Sequence, residues 1–128
     1  MVLETYVRIF TGHQALNDTR AFYRTLLNGQ DGLRFSYPEK GLELAAVISS
    51  TVSVLIIAGA PDARAPFEAT QLTIRVDDIE SACRQLTAEG AEQLEPVQST
   101  PVGAKTRFQH PDGMVVEYVV NHDTDSSG

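Results

Sequence analysis

The chain has 128 residues, 42% hydrophobic and 21% charged, with seventeen acidic residues against ten basic ones and a formal net charge of −7. A domain of this length buries roughly two-thirds of its unfolded surface, enough for a core without disulfides or structural metals. The charge excludes phosphate neutralisation as a source of affinity, so neither nucleic acid nor an anionic membrane is an expected partner.

The single cysteine, Cys83, excludes an internal disulfide framework and a cysteine-based zinc cluster, as a reducing compartment allows. No stretch approaches the ~20 apolar residues of a membrane span. The opening MVLETYVRIF places an acid where a signal peptide needs basic residues. A cytoplasmic location is the expectation, with small acidic ligands still open.

In chain order, residues 4–10 alternate as a strand, with Val7 and Ile9 on one side and Tyr6, Arg8 and Phe10 on the other. Asn17-Asp18-Thr19 predicts a helix start, AFYRTLL its body and Asn28-Gly29 its stop. Strands are expected near 33–37, 42–48 and 52–58, separated by Pro38/Gly41 and Ser49-Ser50-Thr51. Residues 59–69, with two prolines and no period, read as a linker. The order then repeats. TQLTIRV (70–76) alternates, with Leu72, Ile74 and Val76 opposite Gln71, Thr73 and Arg75. Asp77-Asp78 caps a helix that Gly90 stops near Glu89. Strands follow near 92–98, 104–110 and 114–120, the last two joined through the hairpin signal Asp112-Gly113. The polar end, NHDTDSSG, is expected to fray.

The repeat survives alignment by offset. Tyr6 falls on Gln71 at an offset of 65, whereas Ala21 falls on Ala82 and Gly29 on Gly90 at 61. The first strand–helix loop, TGHQAL, is therefore the longer by four residues. The prediction is an α+β domain of two βαβββ modules, about 4–58 and 70–120, joined by the 59–69 linker.

Tandem modules with AFYRTLL, IRVDDIESACRQLTAEGAE and PVGAKTRFQHPDGMVVEYVV resemble the vicinal oxygen chelate superfamily of glyoxalases, bleomycin-resistance proteins and ring-cleaving dioxygenases, over about residues 4–120. The resemblance implies a cupped mixed sheet with helices outside, and often a homodimer. It also implies metal ligands on the first strand of each module and on the last strand, positions held here by Tyr6, Gln71 and Glu117. Glu117 matches the pattern, Gln71 offers an amide oxygen, and Tyr6 departs from it. One carboxylate, one amide and one phenol make a poor divalent set, so no metal is favoured; if one binds, Gln71 and Glu117 hold it.

The cup is expected to carry Tyr6, Arg8, Gln71, Thr73, Arg75 and Glu117, with Phe35, Tyr37, Glu43 and Arg107 as wall residues; Tyr6, Arg8, Gln71, Thr73, Glu117 and Arg107 are the expected ligand-binding residues. Aromatic groups with a few directed polar ones are the composition of a small-molecule pocket. His13, His110 and His122 are expected to be solvated or to cap turns, and Cys83 to pack as a small apolar side chain. The leading reading is a protein that holds a small organic molecule without a metal. The alternatives are a divalent-metal-dependent lyase or dioxygenase, a metal-free acid–base enzyme with Glu117 as its catalytic base, and a ligand-free structural dimer whose cup is filled.

Overall fold

The computed structural model describes residues 1–122; the expected fraying of the tail lies, from residue 123 onward, outside the described residues. The fold is α+β, with nine strands and three helices among the described residues. No helix there is long and apolar enough to cross a membrane. The chain divides into two compact units, Tyr6–Ala69 and the combination of Met1–Thr5 with the chain from Thr70 onward.

In the first unit, β1 (Val2–Thr11, entering at Tyr6) runs parallel to β4 (Ser53–Ala58). Strand β4 is antiparallel to β3 (Leu42–Ile48), which is antiparallel to β2 (Gln30–Tyr37). Helix α1 (Leu16–Leu26) covers one face through Leu16, Tyr23 and Leu27, which meet Ile9, Ala45, Val47, Val54, Ile56 and Ala58. This helix starts earlier than the Asn17-Asp18-Thr19 signal predicts. A 3-10 turn at His13–Ala15 runs straight into it, and burying Leu16 (1% exposed) outweighs a side-chain cap.

The opposite face holds a second apolar cluster of Tyr37, Leu42, Leu44 and Ile57, with Phe10, Phe35 and Leu55. It is covered by what sequence patterning reads as a bare linker. Pro61 starts a one-turn helix, α2 (Pro61–Arg64), followed by a 3-10 turn at Ala65–Phe67, and Ala63 and Phe67 pack onto the cluster.

The second unit repeats the plan. Strand β5 (Leu72–Val76) is parallel to β9 (Val115–Asn121), and β9 is antiparallel to β8 (Gly103–Gln109). The strand expected over 92–98 is broken into β6 (Glu92–Gln93) and β7 (Gln98–Thr100), both paired to β8. Pro96 lies in the break, where a residue without an N–H cannot sustain a ladder. Helix α3 (Ile79–Ala88) begins at Asp78, whose carboxylate accepts the Ser81 N–H at 3.0 Å. Its Ala82, Cys83 and Leu86 pack on Leu72, Ile74, Val76, Phe108, Val116 and Tyr118.

Both long helices end in the same motif. In α1 the N–H groups of Asn28 and Gly29 reach the carbonyls of Thr25 and Arg24; in α3 those of Gly90 and Ala91 reach Thr87 and Leu86. The left-handed residues are Asn28 (φ 50°) and Gly90 (φ 96°), so the helix ends match at an offset of 62, one more than the Gly29–Gly90 alignment. Gly29 has another reason to be glycine: a Cβ there would meet the Ile48 carbonyl oxygen and Val47 Cγ1 at 2.8 Å.

Candidate functional site

Alternation in the second unit sorts its side chains cleanly. Leu72, Ile74, Phe108, Val116 and Tyr118 face α3. Thr73, Arg75, Lys105, Arg107, Glu117 and Val119 therefore share the other face. Register arranges them in rows: Thr73, Glu117 and Arg107 are consecutive partners across β5, β9 and β8, and Arg75, Val119 and Lys105 form the next row.

Glu117 is at the centre. Thr73 donates its hydroxyl to Glu117 Oε1 at 3.0 Å, and Lys105 Nζ lies 4.0 Å from Oε2. All three are buried, at 2%, 9% and 7% exposure for Thr73, Glu117 and Lys105. At an effective dielectric of 20, opposite charges 4 Å apart attract by about 4 kcal/mol, much of it offset by desolvating both ions. Arg107, the direct register neighbour of Glu117, turns to Glu95, with Nε 3.0 Å from Oε1. Thr106, on the α3 side, fixes the break between β6 and β7 that delivers Glu95 by donating to the Glu95 carbonyl at 2.8 Å. Gln71 stands exposed just before β5, its backbone N–H bonded to the Val115 carbonyl.

Tyr6 and Arg8 belong to the first unit. Both are buried, opposite Ser53 and Leu55 of β4. The Arg8 guanidinium lies 5.6 Å from the Phe10 ring centroid and donates to the Phe67 carbonyl at 3.5 Å, so the 61–67 segment covers the side chain. Phe35 and Tyr37 share this face, in contact with the same cluster. Glu43 does not. It lies on the α1 side, paired with Arg34 at 3.0 Å, and Arg34 in turn reaches Asn17 of the helix.

Of the histidines, His13 is exposed in the 3-10 turn, and His122 is exposed at the end of the described chain. His110 is more engaged than a solvated turn residue. Its Nε2 is 2.6 Å from the Tyr118 hydroxyl, and burial pushes the tyrosine pKa up. It borders an open hollow of about 400 Å³ on the α3 side, with Leu86, Glu89 and Pro111. Burial and then Glu80 push the Cys83 thiol up, against a smaller opposing effect of Arg84.

The family model of the Glyoxalase/Bleomycin resistance protein/Dioxygenase superfamily matches residues 6–118. The chain belongs to that superfamily. An uncharacterized protein from Methanosarcina mazei shares 34% identity over 96% of this chain and 95% of its own, with a TM-score of 0.80. Methylmalonyl-CoA epimerase from Mycobacterium tuberculosis is similar in fold, at 17% identity, 99% and 93% coverage and a TM-score of 0.67. A Streptomyces coelicolor methylmalonyl-CoA epimerase variant in complex with 2-nitronate-propionyl-CoA aligns at 15% identity, 91% and 92% coverage and a TM-score of 0.63. Comparison with curated protein sequences gives no significant match.

The superfamily implies a divalent metal beside Glu117, and the residues present do not fit one. Among the described residues, no three His, Cys, Asp or Glu side chains converge on a point. The Lys105 ammonium already supplies positive charge to the carboxylate, so a second cation there meets a like charge as well as a short donor set. Lys105 was not among the expected site residues, although it lies two positions from Arg107 on one strand and must share its face.

Proposed function

We propose that this protein binds a small organic molecule, without a metal, on the face of the second unit that carries Glu117. The observation behind this reading is the buried Thr73–Glu117–Lys105 group. A carboxylate bonded to a buried hydroxyl, with an ammonium at 4.0 Å, is a directed polar centre, which an otherwise apolar strand core does not need for stability. Arg107 and Gln71 are the further polar contacts proposed on this face of the second unit. Titration of the 15N-labelled protein with a set of small carboxylates, amides and alcohols tests this reading. Amide shifts clustered at Thr73, Lys105 and Glu117, and lost in Glu117→Gln, support it; shifts confined to other strands contradict it.

The fold similarity to methylmalonyl-CoA epimerases supports a second reading, metal-free acid–base chemistry with Glu117 as the base. Incubating the protein with methylmalonyl-CoA in deuterated water decides it. Incorporation of deuterium that Glu117→Gln abolishes establishes an enzyme. No incorporation above the buffer rate leaves binding alone. Superfamily precedent also supports a homodimer in the cytoplasm, and sedimentation equilibrium at micromolar concentration tests the dimer.

A further inference from the structure

The row beside Glu117 has a composition of its own. Arg75 on β5 and Lys105 on β8 are both register partners of Val119 on β9, so the two cations flank one small apolar side chain on the same face. Neighbouring strands are spaced about 4.8 Å apart, which sets the two Cα atoms roughly 10 Å apart. Long side chains at that separation can close on a ligand group lying over Val119. Lys105 leans back one row towards Glu117, and Arg75, half-buried, makes no ion pair among the described residues. Across β5, β8 and β9 this face carries three cations, Arg75, Lys105 and Arg107, and one carboxylate, Glu117. Arg107 is committed to Glu95. On a chain with a net charge of −7, that local balance calls for an anion rather than another cation.

We propose that Arg75 and Lys105, flanking Val119, bind the oxyanion of a carboxylate or phosphate group on the ligand. The inference rests on the reading that this face is the ligand site and adds the charge class of what binds there. A guanidinium presents paired donors to two oxygens of one anion, and the ammonium supplies a third from across the strand. Glu117, one row away, then accepts a hydrogen bond from a hydroxyl or amide of the same ligand. Ligands that carry an oxyanion are selected over their uncharged counterparts, and a neighbouring hydroxyl or amide donor adds to binding through Glu117.

Titrations of the 15N-labelled full chain with malonate, inorganic phosphate and malonamide, at low ionic strength, test the proposal. Malonamide is the uncharged counterpart of malonate. The expected result is that malonate or phosphate shifts the amides of Arg75, Lys105 and Val119, whereas malonamide at equal concentration does not. Arg75→Gln and Lys105→Met should each weaken the anion by about tenfold or more, as loss of a charge-assisted contact implies. The stronger of the two anions identifies the oxyanion. Arg75→Gln leaves the Lys105–Glu117 pair in place, so it carries the test if Lys105→Met does not fold. Malonamide shifting the same amides as strongly as malonate, with no effect of Arg75→Gln, overturns the charge assignment and leaves the binding face intact. Anion shifts confined to other strands, or absent, also overturn it. Silence of this face towards every compound, neutral ones included, removes both the assignment and the reading beneath it.

Discussion

Lys105→Met removes the ammonium from beside Glu117 while keeping most of the side-chain volume. The carboxylate, buried to 9% exposure, keeps the Thr73 hydroxyl and loses the ammonium at 4.0 Å. Breaking a buried pair by removing one partner typically costs about 3–5 kcal/mol, and the retained Thr73 hydroxyl lowers that cost. The expected loss at pH 7 is about 2–4 kcal/mol, which for a chain of this length lowers Tm by roughly 10 °C. Urea unfolding followed by circular dichroism at pH 7 measures it. Adding Glu117→Gln removes the carboxylate charge and should recover more than half of the loss at pH 7. A Lys105→Met variant within about 0.5 kcal/mol of wild type at pH 7, or a double variant no better than the sum of the singles, refutes the reasoning.

Asp78→Ala removes the acceptor of the Ser81 N–H and should cost about 1 kcal/mol in urea unfolding, with Asp78→Asn recovering most of it. Cys83, whose thiol is pushed up by burial and by Glu80, should react with iodoacetamide more slowly at pH 7.5 than a free thiol and accelerate as pH rises; a rate equal to that of glutathione contradicts the burial assignment. Phe108→Ala empties a fully buried position on β8 beneath α3 and should cost about 3–5 kcal/mol by the same unfolding assay.

The order of elements was legible because periods of 2 and 3.6 are written in single segments. Glu117 and Thr73 were placed on one face by the alternation of MVVEYVV and TQLTIRV, and the register joins them by a hydrogen bond. Glu43 was misplaced for a physical reason. Strand β3 is apolar on both faces, α1 on one and the 61–67 segment on the other, so LELAAVI has no polar side to orient it. The 61–67 cover was itself invisible, since a one-turn helix started by proline has no period to detect. Lys105 could have been found: a residue two positions from Arg107 shares its face by the pleat. Its approach to Glu117 depends on a rotamer across two strands, which alternation does not set. The Arg107–Glu95 pair was hidden because Pro96 bends a segment read as one straight strand.

Calorimetric titration of the wild-type chain and Glu117→Gln with cobalt(II) at pH 7 tests the central claim, that Glu117 serves an organic ligand and not a metal. Because Lys105 already neutralises the carboxylate, the account predicts no heat that depends on Glu117 up to about 100 μM metal, a binding energy weaker than roughly 5.5 kcal/mol. Sub-micromolar cobalt binding by the wild type that Glu117→Gln abolishes contradicts it.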